Sequence, residues 1–109
     1  MRIYIAGAMS DPSCINYLRN CGRGERAAAE IILMGDIPYC PMLDGAIFKQ
    51  LRSDEDISFD RIREVSMSFI EHWAEMVVVL PDSENSVGTR AEINRAKELG
   101  IPVIAYADY

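Results

Sequence analysis

The sequence is poor in the residues that build metal centres and disulfide frameworks. It has three cysteines, Cys14, Cys21 and Cys40, and a single histidine, His72. The cysteines are odd in number and lack C-x-x-C spacing, which argues against a zinc site and a disulfide scaffold. The acidic run 53–60 indicates a solvated loop, with a metal site as the alternative. We therefore expect reduced cysteines, a cytoplasmic location, no metal and no cofactor.

Long apolar segments and an excess of basic residues are also missing. The sequence has no run of about 18 apolar residues that could cross a membrane, and we expect neither a leader peptide nor a lipidation signal. The 11 basic residues stand against 17 acidic ones, a net charge of −6, which argues against DNA or RNA as the main partner. A small anionic ligand stays compatible, because backbone N–H groups can bind it without a basic patch.

What the chain does contain is the pattern of one α/β domain over residues 1–109. Short β-rich segments alternate with helical ones, which predicts a parallel sheet with right-handed crossovers. We expect a three-layer, flavodoxin-like or Rossmann-like doubly wound sheet of four to five mainly parallel strands in the order 2-1-3-4. The predicted strands are residues 2–6, 37–41, 76–80 and 102–106. The predicted long helices are residues 13–34, 60–74 and 93–99.

Capping residues and apolar periodicity predict where these helices begin and end and which residues they bury. The first helix is expected to start at an Ser13 N-cap and to stop at Gly35, with Gly22 and Gly24 weakening its middle. Its predicted buried residues are Ala27, Ala28, Ile31 and Ile32. For the helix at residues 60–74, the predicted buried residues are Ile62, Val65, Phe69, Ile70 and Trp73.

The segment Ser86–Glu92 is the most informative stretch of the chain. It joins an apolar strand to a helix, and open α/β sheets bind ligands at such junctions. Free backbone N–H groups and the positive end of the helix dipole meet there. Glu92 projects toward the apolar side of the helix and needs a partner. It is interpreted as the N3 residue of a capping box that starts at Thr89, as a functional carboxylate, or as both, because the helix dipole keeps the carboxylate ionised in either role.

A second candidate loop follows the first strand. Gly7, Ala8, Met9 and Ser10 have small or flexible side chains that let a ligand approach the backbone. No G-x-G-x-x-G motif is present, so a dinucleotide site is not expected. The order 2-1-3-4 puts the crevice between the first and third strands, so this loop and Ser86–Glu92 are predicted to line one cleft.

Several of these motifs together resemble the nucleoside 2-deoxyribosyltransferase superfamily, which includes 2′-deoxynucleoside 5′-phosphate N-hydrolases. The resemblance is closer to small, often phage-encoded members with no assigned activity. It covers nearly the whole chain, and its strongest part is Ser86-x-Gly88-x-x-x-Glu92. The other matching segments are Tyr4–Gly7, Asn20 ahead of Gly35, Pro38–Pro41, Ala96 and Gly100–Val103.

The resemblance implies a role for each matching residue. Glu92 would attack C1′ of the sugar and form a glycosyl-enzyme intermediate, while Ser86 and Gly88 hold the 5′ end of the substrate. Residues matching Tyr4, Gly7 and Met9 would line the pocket for the base and sugar, with Ala8 between them. Active members also carry an aspartate that protonates the departing base.

That aspartate is missing here. It aligns near Met67, which lies between Ser66 and Ser68, and the nearest candidate acid is Glu71. Three functions therefore stay open. They are cleavage or transfer of an N-glycosidic bond in a nucleoside or nucleoside 5′-monophosphate, nucleotide binding without turnover, and a structural role on the same fold. We also expect a homo-oligomer, because Phe69 and Trp73 indicate apolar surface that a neighbour would cover.

Overall fold

A four-stranded parallel sheet forms the centre of the computed structural model, which describes residues 1–8, 11–41 and 44–109. The strands are β1 (Arg2–Ala6), β2 (Ile37–Tyr39), β3 (Met76–Val79) and β4 (Val103–Ala105). Their spatial order is β2-β1-β3-β4, and every neighbouring pair is parallel. The predicted α/β class, the strand order and the edge position of the second strand are all confirmed.

Helices pack on both faces of this sheet. They are α1 (Cys14–Leu33), α2 (Asp44–Phe48), α3 (Phe59–His72) and α4 (Val87–Glu98), followed after β4 by a 3-10 turn at Tyr106–Asp108. None of the helices in the described ranges is long and apolar enough to cross a membrane.

The core divides into two halves because neighbouring side chains on a strand point to opposite faces of the sheet. On one face, Ile3 and Ile5 pack with Val78 and with α1. On the other face, Tyr4 and Val77 pack with α3 and α4. All five of these strand side chains are fully buried. This arrangement is the predicted three-layer fold.

Helix α1 starts and stops where the sequence predicts. The Ser13 hydroxyl accepts a hydrogen bond from the Asn16 N–H at 3.3 Å, and Gly35 follows the helix with φ of +95°. The helix runs through Gly22 and Gly24 without a break. The prediction for Ile32 is wrong, because this side chain is 61% exposed. The buried face of α1 is formed by Asn20, Cys21, Gly24, Ala27 and Ile31.

Helix α3 also buries a different set from the predicted one. Ser66 and Ile70 are its buried residues, while Val65 is 36% exposed. Phe69 stacks on Tyr39 at 3.7 Å between ring centroids, and Trp73 meets Phe69 edge-on at 5.9 Å. The side chains expected to mark a subunit contact therefore pack largely against their own sheet.

The C-terminal residues fold back onto the start of β2. The Tyr109 hydroxyl donates a hydrogen bond to the Asp36 carboxylate, which also accepts one from the Met1 amino group at 3.0 Å. Partial burial and the bond to Asp36 raise the pKa of Tyr109 to about 12. Both contacts lie at the end of the sheet where β1 and β2 begin, opposite the carboxyl ends of the strands.

Candidate functional site

A cleft of about 790 Å³ opens at the carboxyl ends of β1 and β3. Its volume lies within the range of small-molecule sites, roughly 300–1,000 Å³. One wall is the loop after β1, another is the start of α4, and α3 supplies the third. This is the crevice that the strand order predicts, where the connections from β1 and β3 leave the sheet on opposite faces.

Most of the candidate residues from the sequence meet in this cleft. Gly7 and Ala8 line it from the first loop, and Ser86, Gly88 and Glu92 line it from α4. The prediction that the two segments share a cleft is therefore confirmed for these residues. Tyr4 lies beneath them on β1 and is fully buried. Met9 and Ser10, also predicted to contribute, fall outside the described residues.

The start of α4 differs from the predicted one. Ser86 is the N-cap, and its hydroxyl accepts a hydrogen bond from the Thr89 N–H at 3.3 Å. The capping box from Thr89 to Glu92 is therefore wrong: Thr89 occupies N3, and Glu92 follows three residues later. The Ser86 hydroxyl, three residues before Thr89, accepts the hydrogen bond that caps the helix. The Glu92 carboxylate is therefore not used as a cap.

Two features keep the α4 terminus open to a ligand. A Cβ placed on Gly88 would meet no atom within 4 Å, so a ligand can approach the backbone there. The Thr89 side chain is 1% exposed, and its hydroxyl finds no hydrogen-bond partner among the described residues. Together with the helix dipole, these groups favour an anion or a polar oxygen at this point.

Glu92 lines the cleft, and Tyr4 is buried beneath it. Glu92 is half-buried, and both its Oε2 atom and the Tyr4 hydroxyl are inaccessible to solvent. Burial, followed by the charge of Glu92, raises the pKa of Tyr4 far above its ordinary value. The phenol therefore stays protonated beside the carboxylate, although no described side chain meets its hydroxyl in hydrogen-bonding geometry. The nearby Ser66 side chain acts on this pKa in the opposite direction and lowers it.

On α3, the helix that would carry the aspartate implied by the resemblance, no acidic side chain lines the cleft, whereas Asp82, on the loop after β3, does. The side chain that lines the cleft at this level of α3 is Ser66, which is 7% exposed. Met67, the predicted aligned position, packs into the core beside Tyr4 and Ala6. Ser68 is exposed, and its hydroxyl donates to the Val65 carbonyl at 2.7 Å. Of the three residues around the predicted position, Ser66 is therefore the one that faces the cleft.

The candidate acid Glu71 lies elsewhere. Its carboxylate is 3.3 Å from Arg95 Nε and 3.8 Å from His72 Nε2, in the last turn of α3. Five residues separate it from Ser66, which corresponds to a rotation of about 140° around the helix. Glu71 is not among the side chains that line the cleft, so the structure does not place this candidate acid there.

Sequence reasoning missed several residues at the cleft, among them Arg63, which lines it, and Ser83, which lies behind its loops. Arg63, one turn before Ser66 on α3, lines it and makes no ion pair with a described residue. Ser83 is 2% exposed, and its hydroxyl accepts the Ala8 N–H at 3.0 Å, which ties the two cleft loops together. A positive φ of 59° at Asp82 turns the chain just before it. The Pro-Asp-Ser sequence at residues 81–83 was the available turn signal.

Comparison with known proteins places the chain in a family without assigning an activity. Within residues 1–8, 11–41 and 44–109, no three His, Cys, Asp or Glu side chains come together as a metal site requires. A search of curated proteins gave no match. Residues 1–105 match the family described as a domain of unknown function, DUF4406, and the chain belongs to that family.

Proposed function

We propose that the cleft binds a nucleoside or a nucleoside 5′-monophosphate and that Glu92 cleaves or transfers its N-glycosidic bond. One observation carries the proposal: a half-buried carboxylate faces a ligand-sized cleft beside an open helix N-terminus. A carboxylate next to an anomeric carbon is what a retaining displacement needs. The resemblance to the nucleoside 2-deoxyribosyltransferase superfamily, carried by Ser86, Gly88 and Glu92, supports the same chemistry.

The chemistry divides into two displacements. A Glu92 carboxylate oxygen attacks C1′ of the sugar, the C1′–N bond breaks, and the base leaves with the bonding electron pair. The base then takes up a proton. Water, or a second base in a transfer reaction, attacks C1′ of the ester and releases Glu92 as the carboxylate. Ser86 and the N–H groups near Gly88 hold the 5′ end of the sugar, which fixes C1′ over Glu92.

Tyr4 has a supporting role in this scheme. Its hydroxyl cannot ionise at neutral pH, because burial and the charge of Glu92 raise its pKa. A protonated phenol donates to one carboxylate oxygen and leaves the other for the attack. It therefore orients the nucleophile without taking part in proton transfer.

A second function is favoured by Ser66. A base that leaves as an anion needs stabilisation, and a serine is far too weak an acid to supply the proton. The same cleft could therefore hold a nucleotide without turning it over, as a binding module on this fold. The two functions share the ligand and differ only in the fate of the glycosidic bond.

Incubation with a panel of deoxynucleosides, ribonucleosides and their 5′-monophosphates, followed by chromatography for free base, tests the proposal. Release of base supports the catalytic function. Binding measured by calorimetry without base release supports the binding module. Neither release nor binding for any member of the panel would contradict both.

Gly88 provides a prediction that separates ligand binding from stability. Gly88→Ala should raise the unfolding free energy of the free protein by about 0.5–1 kcal/mol, because alanine favours the helix and its Cβ has open space. The same Cβ should raise the Kd for a nucleoside 5′-monophosphate by at least about tenfold, because it occupies the ligand's approach to the backbone. Thermal unfolding with and without ligand measures both effects.

Gly22→Ala is the matched control for this experiment. Gly22 also lies in a helix with no atom within 4 Å of an added Cβ, but it is far from the α4 terminus. This variant should be stabilised similarly and should keep the wild-type Kd. A hundredfold excess of ligand over Kd stabilises a protein by about 2.7 kcal/mol. Equal ligand stabilisation in wild type and Gly88→Ala would contradict binding at this terminus.

A further inference from the structure

Arg63 is the only positively charged side chain among the described residues that line the cleft. It lies on α3, is exposed, and forms no ion pair with a described residue. Its neighbour Arg61, two residues before it, is paired with Glu64 at 2.9 Å. In a chain with 17 acidic and 11 basic residues, an arginine that lines a cleft without an acidic partner is available to an anionic ligand.

The packing of α3 beside α4 fixes the level of Arg63 in the cleft. The two helices lie on the same face of the sheet and run in the same direction, because each leads from the carboxyl end of one parallel strand to the start of the next. Glu71 of α3 contacts Arg95 of α4 at 3.3 Å, 24 residues further along the chain. Both helices rise by about 1.5 Å per residue. The same offset therefore sets Arg63 opposite Val87, the first residue of α4.

A second pair of residues gives nearly the same alignment. Burial and the charge of Glu92 raise the pKa of the Tyr4 hydroxyl, and Ser66 lowers it, so both side chains lie close to this one group. Ser66 and Glu92 are 26 residues apart. An offset of 26 sets Arg63 opposite Thr89. The two alignments agree that Arg63 faces the first turn of α4 across the cleft.

That turn of α4 has polar groups that the described residues do not satisfy. The N–H groups of Val87 and Gly88 have no acceptor among them, as is usual at a helix start. The Thr89 N–H, in contrast, donates to the Ser86 hydroxyl at 3.3 Å. The Thr89 side chain lines the cleft and is 1% exposed, yet its hydroxyl has no hydrogen-bond partner within residues 1–8, 11–41 and 44–109. A buried hydroxyl without a partner is costly, and a ligand oxygen would satisfy it.

The negative side chains of the cleft restrict where an anion can lie. Asp82 and Glu92 both line the cleft, and their carboxylates repel a negative ligand group. The space between Arg63 and the start of α4 is therefore the favourable place for it. Gly88 lies four residues before Glu92, which is about 6 Å along the helix. An anion at the start of α4 and a sugar carbon beside Glu92 can thus belong to one small ligand.

We propose that Arg63 and the first turn of α4 form a phosphate subsite, and that Arg63 makes the cleft selective for a nucleoside 5′-monophosphate over the unphosphorylated nucleoside. This selectivity rests on the proposed function for the class of ligand, and Arg63 adds to it the phosphorylation state. A guanidinium forms charge-assisted, often bidentate hydrogen bonds with phosphate oxygens. The neutral 5′-hydroxyl of a nucleoside offers Arg63 no counter-charge.

Calorimetry with matched ligand pairs, each common 2′-deoxynucleoside and its 5′-monophosphate, tests the role of Arg63. The wild type should bind the monophosphate more tightly by about tenfold or more, the value of a charge-assisted hydrogen bond. Arg63→Gln should lose that advantage and leave the Kd for the nucleoside nearly unchanged, and the exposure of Arg63 means that the fold is kept. A wild type that binds both members of a pair equally, or a variant that loses affinity for both, overturns the proposal.

Arg61→Gln is the matched control. It removes the same charge from the same helix, but Arg61 pairs with Glu64 and is not among the residues that line the cleft. This variant should keep the wild-type Kd for every ligand. Thermal unfolding with inorganic phosphate as the probe should give the same ranking, with wild type and Arg61→Gln stabilised more than Arg63→Gln. An equal loss of monophosphate affinity in the two variants would show only an effect of net charge and would overturn the subsite.

Base-release assays on the same variants separate the phosphate subsite from the chemistry of Glu92. Monophosphate binding that depends on Arg63, without release of base, supports the subsite and contradicts cleavage by Glu92. Release of base from nucleosides and monophosphates at similar rates, unchanged in Arg63→Gln, supports cleavage and overturns the subsite.

Discussion

Glu92→Gln is expected to abolish base release while the protein keeps its fold. Glutamine has the shape of glutamate but its amide is a very poor nucleophile toward C1′. Loss of a nucleophile costs on the order of 10⁴- to 10⁶-fold in turnover. The stability change should be small, because Ser86 and not Glu92 caps the helix. Single-turnover assays measure the rate, and thermal unfolding measures the stability.

Glu98→Gln is the matched control on the same helix. It makes the same chemical change to an exposed carboxylate that pairs with Arg95 at 3.0 Å. We expect wild-type turnover and a stability change within about 0.5 kcal/mol, as for other surface substitutions. Turnover in a folded Glu92→Gln variant equal to that of Glu98→Gln would contradict the assignment of the nucleophile.

The rate should depend steeply on the leaving group. Without a general acid, departure of adenine or thymine should be slower by roughly 10²- to 10⁴-fold, which is about 3–5 kcal/mol of barrier. The penalty should nearly vanish for a group that is stable as an anion, such as a nitrophenolate on deoxyribose. We therefore expect slow cleavage of natural nucleosides and measurable cleavage of activated deoxyribosides. Similar rates for both would mean that an acid is present.

Ser66→Asp should restore part of the missing rate for natural substrates. The new carboxyl would face the cleft from α3, where it can protonate the base. Met67→Asp, one residue away, is the comparison: it buries a carboxylate in the core beside Tyr4 and should destabilise the protein without rescue. Glu71→Gln should leave the rates unchanged, because Glu71 pairs with Arg95 outside the cleft. Loss of activity in Glu71→Gln would restore Glu71 as the acid.

The strand order and the position of the cleft followed from the sequence because both depend on long-range pattern. Alternating β and α segments permit few topologies, and the apolar run at β3 indicates a strand covered on both faces. Gly35, with φ of +95°, ends α1 at the predicted residue because few other residues adopt that conformation. The predictions of the strand order and of the cleft position stay correct even when the predicted ends of a strand or helix are wrong by one or two residues.

The buried faces of the helices were predicted less accurately from the sequence, because each residue turns the helix by about 100°. Near the position expected for the acid, Ser66 lines the cleft, whereas Met67, one residue on, packs into the core. The same sensitivity put Ile32 inside when it is exposed. At α4, Ser86 and Thr89 are both good N-cap residues three positions apart. Local preference could not choose between them, and in the structure Ser86 is the residue that caps the helix.

Aromatic side chains from β1, β2 and the C-terminal end of α3 give the protein an optical probe of its own. Tyr4, buried beneath the cleft, lies 5.6 Å from Tyr39 between ring centroids, and Phe69 connects Tyr39 to Trp73. Trp73 is the only tryptophan in the chain, so its emission is not mixed with that of another indole. It lies about two helical turns beyond Ser66. A ligand that shifts Tyr4 or α3 alters the surroundings of this indole, and intrinsic fluorescence can follow binding to the cleft without a label.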